Sequence, residues 1–503
     1  MHSQDNAIRR IAIVGGGSSG WMSAAALTNA LQGNCTITLI ESNDIGTVGV
    51  GEATIPPIKL FNQQLGIDER EFLRYTQGTL KYGIEFINWA KPGAHYFHPF
   101  GSFGIDFDQV PLYQYWLRAK SKGDASKLCD YSFSWHAAQQ GKVVPPSSDP
   151  RLVQTSADYA YHFDAGLYAK FLRTYAEARG LVRIEGQVVS AQLNRESGFI
   201  EHLKLADGQQ IDADLFIDCS GFRGLLINEH LNIGYENWSH WLPCNSAIAA
   251  PCESVGEPKP YTQSIAHDAG WQWRIPLQHR TGNGHVYCNS FMSDAQAQDI
   301  LEKNIAGKII AEPKQLRFTT GHRKQFWVKN CVAIGLAAGF MEPLESTSLH
   351  LVQTAITRLI ALFPDRTFHP LTLQEYNRIT QMEYEGIRDF LILHYHANQH
   401  NKSEFWHYCA TMKIPDTLQY KLEHFKSYGR LVSTQSELFT NTNWLAVLIG
   451  QEINPKHYPP LVDKRAHINA EAYLRSLHNT MVTTASTMPS HQQYLDFLCG
   501  TNN

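Results

Sequence analysis

The sequence has no CxxC pair. Its nine cysteines (Cys35, Cys129, Cys219, Cys244, Cys252, Cys288, Cys331, Cys409 and Cys499) are scattered, which argues against a zinc ribbon or dithiol centre and suits the reduced, mostly buried thiols of a cytoplasmic protein. It also lacks any stretch of the roughly 18 uninterrupted apolar residues that a membrane span needs. Arg9-Arg10 before Ile11 to Val14 has the look of a twin-arginine export signal, but that apolar run breaks at Gly15. Charge of either sign is not in excess: 18% of residues are charged and the net charge is −4, so no basic field exists to hold nucleic acid. Internal repeats and low-complexity tracts are absent, which excludes an array. What remains is a chain of 503 residues, 43% hydrophobic, with the size of one large α/β domain carrying an additional lobe. Its 11 Trp, 22 Tyr and 24 Phe would suit a site of flat faces for a flat substrate, and equally an aromatic core.

The pattern predicts a βαβ unit, with a strand over Ile8 to Val14, a turn over Gly15 to Gly20, a helix over Trp21 to Leu31 and a strand over Cys35 to Glu41. Two further apolar strands, Ala213 to Ile217 and Cys331 to Ile334, should end at the same edge of a parallel sheet. Leu349, Val352, Ile356, Leu359 and Phe363 then step by three and four residues, as an amphipathic helix does, with Ser346 or Thr347 as its cap. From Phe368 the text turns to long helical stretches, Glu375 to Tyr395 and Pro415 to Tyr428 among them. The expected fold class is α/β, with one large domain over residues 1–365 and a mainly helical C-terminal lobe over 366–503.

Gly15, Gly17 and Gly20 form GxGxxG between strand and helix, where glycine lets backbone approach a pyrophosphate at the positive end of the helix. Glu41 closes the next strand at the spacing expected of a carboxylate that accepts ribose hydroxyl hydrogen bonds. The segment Val48-Gly49-Val50-Gly51-Glu52-Ala53-Thr54-Ile55-Pro56 has glycines that would let backbone lie against a flat ring, and simple dehydrogenases have no counterpart of it. Together with Asp218 to Gly221 and Gly335 to Glu345 it gives the pattern of a flavin monooxygenase-like FAD-binding fold over residues 1–365, with a substrate-facing insertion, and favours FAD over NAD. No second GxGxxG occurs, so a separate NADPH domain is not expected.

With these segments the chain resembles the flavin-dependent tryptophan halogenases over nearly its whole length. Trp271-Gln272-Trp273-Arg274-Ile275-Pro276 is similar to that family's WxWxIP signature, through Trp271, Trp273, Ile275 and Pro276. Thr79 to Phe86 resembles the segment holding the catalytic lysine, which assigns that role to Lys81. Met341 to Ser348 resembles the second catalytic segment and assigns the glutamate role to Glu345. By the same resemblance Ser18, Ser19, Gly51, Ala53, Val188, Leu336 and Leu349 join the FAD site, and the amides of Thr347 and Ser348 bind the halide. Ser348 departs from the glycine usual there in tryptophan-specific members. His98 and Phe100 resemble the aromatic pair that sandwiches the indole, with Trp444 beside them.

The implied chemistry joins reduced FAD, oxygen and halide ion to give hypohalous acid. Lys81 then aims the electrophile as a haloamine or as a hydrogen-bond donor, and Glu345 orients it or accepts the ring proton. A separate flavin reductase supplies the reduced FAD; a small aromatic substrate is the other partner, and a homodimer is admitted. The tyrosine pair of the free-tryptophan enzymes is replaced by Asn441-Thr442-Asn443-Trp444-Leu445, which looks more like the indole-brominating branch. The alternatives are an aromatic hydroxylase, against which Lys81 and the WxWxIP segment speak, and a non-catalytic FAD- or halide-binding protein, in which the Lys81 or Glu345 position would be lost.

Overall fold

The computed structural model describes residues 6–42, 51–106, 110–144, 147–433, 437–465 and 469–500. Val48, Gly49 and Val50 of the glycine-rich segment lie outside the described residues.

The expected βαβ unit forms from Arg10–Val14, the helix Ser18–Leu31 and Thr36–Glu41. The helix begins three residues earlier than its apolar spacing indicates, because Ser18 and Ser19 complete its first turn directly after the glycines. Arg10–Val14 lies at the centre of a six-stranded sheet, between Thr36–Glu41 and Leu215–Asp218, and Cys331–Ala333 follows Leu215–Asp218. All these pairings are parallel, as strands buried on both faces and joined by crossovers require. Both later strands therefore end on the edge where the glycine turn sits.

A seven-stranded sheet runs in the order Lys314–Arg317, Ser246–Ala249, Thr281–Tyr287, Gly270–Pro276, Thr262–His267, Gly83–Ile87 and His95–Pro99. A small sheet joins Gly51–Ala53 and Thr79–Lys81 to Ala160–Asp164. Lys81 and His98 thus enter from two neighbouring sheets. The WxWxIP residues are a strand of the large sheet, and Trp273 opposes Gly284, where a Cβ would lie 2.0 Å from the indole ring.

After Ser348–Ala361 the chain is helical, with Pro370–His396, Glu404–Thr411, Asp416–Tyr428, Asn441–Gly450, Ala470–Ser486 and His491–Cys499. These helices share one apolar cluster with the sheets, running from Ile8 to Ala485. Pro370–His396 is the longest, and its last turns carry buried Phe390, Leu393, His394 and Tyr395 into that core. All nine cysteines are unpaired, six of them buried. Among the described residues no helix is long and apolar enough to cross a membrane.

Candidate active site

Lys81 is completely buried, and so is Glu345. Thr79–Lys81 is covered on both faces, so the amine has no route to water, and its Nζ donates to Thr54 O at 2.9 Å and to Ser346 Oγ at 2.8 Å. Burial lowers the amine to a pKa of about 7, against the opposing pull of the Glu345 and Glu52 carboxylates. Glu52 itself is pushed up to about 7, again by burial, which the nearby lysine offsets only in part.

Ser346 was expected to cap the following helix, as was Thr347, and neither does. Thr347 is the N-cap residue of Ser348–Ala361 but makes no side-chain cap, and its buried Oγ1 has no partner among the described residues. Ser346 is left-handed, at φ 59° and ψ 36°, where a residue with a Cβ costs about 1–2 kcal/mol. That conformation ends the turn Pro343–Glu345 and leaves the serine hydroxyl facing Lys81. Thr347 holds the N-cap position with helical backbone, at φ −90° and ψ −7°, instead of the extended backbone from which a side chain caps, and this is the physical reason the side-chain cap is missing.

Glu345 lies between two histidines. His98 Nδ1 is 3.0 and 2.9 Å from its two oxygens, and His394 Nε2 lies 2.8 Å from Oε1, met obliquely to the ring. Burial alone would raise this carboxyl; His98 first, then His394, outweigh it and hold the pKa near 2. The proton position on His98 follows from its other side. Asn443 Oδ1 accepts from the Thr440 N–H, which turns the amide so that Nδ2 donates to His98 Nε2 at 2.8 Å. Nδ1 therefore carries the proton and donates it to Glu345.

Phe100 is buried with its ring centre 5.1 Å from Lys81 Nζ, and Trp444 packs edge-on against Phe390, which also meets the edge of His98. In the segment without a tyrosine pair Asn441 Oδ1 accepts from Ser433 Oγ, Asn443 is committed to Thr440 and His98, and the buried Trp444 Nε1 has no partner among the described residues. Trp271 of the WxWxIP strand donates to Glu342 Oε2 at 2.9 Å, and Tyr395 donates to the same oxygen at 2.7 Å. Burial raises Glu342 to about 7, and it immediately precedes the turn that carries Glu345.

At the sheet edge the glycine turn has the shape of a cradle. A Cβ on Gly15 would lie 2.3 Å from Cys219 O, and one on Gly16 would lie 1.5 Å from Glu41 Oε2, so backbone alone fits there. Gly17 precedes Ser18–Leu31 without a side-chain cap, no acidic residue occupies the first turn, and a Cβ on Gly17 would meet nothing. The positive helix end with Ser18 and Ser19 thus faces open space, next to Glu41, which accepts from Trp21 and Arg183. The turn Gly335–Ala337, with Leu336, packs on Ser19, and Leu349 is buried one residue into the next helix. Val188 is buried on a separate three-stranded sheet whose core includes Val14 and Ile40. Gly51 borders a cavity of about 250 Å³, which Arg280 and Asn283 also line, and Ala53 ends the same short strand.

His394 and Asn443 were missing from the sequence reading. Asn443 carried a faint signal, lying in the segment that departs from the tyrosine pair. His394 carried none beyond its place in a helix rich in histidine and aromatics.

A glycine cradle at the sheet edge together with a buried lysine–glutamate cluster is the arrangement of the flavin-dependent halogenase class. The family model for tryptophan halogenase matches residues 10–467. Tryptophan 6-halogenase ThaL of Streptomyces albogriseolus is 34% identical, the alignment covering 93% of this chain and 94% of that protein. Two solved flavin-dependent halogenases superpose closely. BrvH of Brevundimonas sp. BAL3 has a TM-score of 0.94 and 43% identity, and Xcc4156 of Xanthomonas campestris 0.95 and 44%, each covering 98% of this chain and 99% of theirs. The chain belongs to the tryptophan halogenase family.

Proposed function

We propose that the enzyme halogenates an indole-like aromatic lacking an amino-acid group, more readily with bromide than with chloride, with Lys81 aiming the electrophile. One observation carries this reading: Lys81, Ser346, Glu345 and His98 meet in a single dry cluster although they come from segments up to 265 residues apart in sequence. Burying a lysine and a carboxylate together costs stability, and such costly clusters of perturbed groups are characteristic of functional sites.

FAD fits the residues at the sheet edge. Gly15, Gly17, Ser18, Ser19 and Gly20 would hold its pyrophosphate, Glu41 its ribose, and Gly51, Ala53, Val188, Leu336 and Leu349 would line the remainder. When bound in reduced form, with oxygen and halide, it supplies hypohalous acid. The uncapped amides of Thr347 and Ser348 favour an anion at the helix start, and the unpartnered Thr347 hydroxyl is a further donor there. Lys81 receives the electrophile in a site that excludes water, which keeps it from reacting indiscriminately. With a pKa near 7 the amine is divided between its two forms at neutral pH, as a directing base requires. Glu345, held ionised by two histidines, takes the ring proton after attack or orients the acid beforehand.

His98 and Phe100 would flank the aromatic ring, with Trp444 closing the wall. Indole is preferred to tryptophan in this reading because Asn443 and the Asn441 Oδ1 are spent on internal hydrogen bonds, so a zwitterion's ammonium finds no tyrosine pair and no free amide oxygen of these two residues at that wall. A separate reductase supplies reduced FAD in the cytoplasm. The test is product mass spectrometry with FAD, a flavin reductase, NADH, each halide and a panel of indoles. A halogen isotope pattern on indole supports the reading; hydroxylated product without halide dependence refutes it.

A further inference from the structure

The strand that carries Lys81 is tied to a histidine from far along the chain. Thr79–Lys81 lies at the edge of its small sheet, where Leu80 opposes Tyr161 and Lys81 opposes Ala160 on one side only. Its other side faces the segment leading into Thr262–His267. There Thr262 opposes Ile84 in a parallel ladder, and Tyr82 N–H donates to Pro260 O at 2.8 Å, one ladder step earlier in the same register. The next step would join Leu80 to Pro258. Instead the imidazole of His491 stands between them. Leu80 N–H donates to His491 Nε2 at 3.0 Å, and His491 Nδ1 lies 2.7 Å from Pro258 O. Leu80 and His491 are 411 residues apart in sequence.

The tautomer follows from the partners. A backbone N–H only donates and a carbonyl only accepts, so Nε2 is bare and Nδ1 carries the proton. Burial favours this uncharged ring and lowers its pKa to about 4. The neutral imidazole therefore relays one ladder hydrogen bond across a gap that backbone leaves open. Without it the buried Leu80 N–H would have no acceptor there. The ring is held in turn by its own helix start: His491 opens His491–Cys499, whose cap Ser490 accepts from Gln493 N–H. The His491 N–H donates to Gly141 O at 2.8 Å.

We propose that His491 is a positioning residue for Lys81, setting the backbone from which Nζ reaches Thr54 and Ser346 and so keeping the amine on the electrophile's path. The inference rests on the reading that Lys81 aims the electrophile. Lys81 sits between the direct bond at Tyr82 and the relayed bond at Leu80, while its own backbone faces Ala160. A strand held on that side only at Tyr82 is free to pivot there, and the long side chain enlarges a small backbone rotation into a displacement of Nζ. A misplacement of about 1 Å can cost up to about 10²-fold in a reaction that depends on orientation.

The experiment has two readouts. The first is ¹⁵N-histidine NMR of the wild-type protein at neutral pH, in which His491 should show a protonated Nδ1 and a bare Nε2, assigned by their loss in His491→Gln. A protonated Nε2 overturns the proposal whether or not any variant folds.

The second is the partition of the electrophile in a single turnover with reduced FAD, bromide, indole and an excess of 2-chlorodimedone, a water-soluble diketone that captures hypobromous acid leaving the site. In His491→Leu the ratio of brominated diketone to bromoindole should rise by about tenfold or more. His491→Gln, whose amide offers both an acceptor and a donor, should bring the ratio most of the way back. Both products falling together at an unchanged ratio would mean that His491 serves only the fold, and would overturn the positioning role. Lys81→Ala is the reference and should raise the ratio as well. A wild-type ratio in Lys81→Ala refutes the role given to Lys81, whereas a raised ratio there with an unmoved one in His491→Leu refutes only the role given to His491.

Discussion

Replacing Lys81 by methionine should make the protein more stable while removing its halogenation activity. Methionine keeps the unbranched shape in a site with no access to water, and it discards a group whose pKa falls from 10.5 to about 7 on folding. At about 1.36 kcal/mol per unit, that fall of 3.5 units amounts to roughly 5 kcal/mol disfavouring the native state at neutral pH. Against it stand the two hydrogen bonds to Thr54 O and Ser346 Oγ. Leaving those two buried acceptors unpaired costs about 1–3 kcal/mol each, so a net gain on the order of 1 kcal/mol is expected. The folded amine releases its proton near 7 and the unfolded one near 10.5, so the unfolded chain binds more protons across that window. Wild-type stability therefore rises as pH increases from about 7 to 10.5, and the advantage of methionine narrows over the same range. Thermal unfolding of both proteins at pH 7 and pH 9.5, with FAD titration to verify the cradle, measures this. A Lys81→Met variant that is less stable at pH 7, or that still halogenates indole, would refute the reasoning.

Glu345→Gln keeps the size and the hydrogen bond from His98 and loses the charge; the halogenation rate should fall by about 10²-fold or more with FAD binding retained, read by single-turnover product analysis. Asn443→Ala frees His98 to adopt the other tautomer, which should cut kcat by about tenfold, the value of roughly one hydrogen bond, with little change in FAD affinity. Indole with bromide should give a higher kcat/KM than tryptophan with chloride under equal reductase supply. The reverse order would place the amino-acid handle on residues other than Asn441 and Asn443.

Strong local patterns made much of the fold legible. Three apolar strands ending in glycine-rich turns came out side by side in one parallel sheet, and the helices expected over Glu375 to Tyr395 and Pro415 to Tyr428 lie at Pro370–His396 and Asp416–Tyr428. Of Ser346 or Thr347, Thr347 does take the N-cap position, but its side chain makes no cap because the fold gives it helical backbone, and Lys81, distant in sequence, takes the Ser346 hydroxyl. The same limit hid His394 and Asn443, whose importance comes only from what they touch.

By itself, then, the sequence determined what is encoded locally: the strand–glycine–helix cradle, the buried lysine and glutamate segments, and the helical character of the chain after residue 366. Tertiary structure alone decided which nitrogen of His98 carries its proton, where Glu345 finds its second histidine, and why Trp271 is needed beside Glu342. The physical reason is range. Backbone preference and hydrophobic period act over a few residues, whereas protonation states in a dry site are set by whichever donors and acceptors the fold brings within about 3 Å.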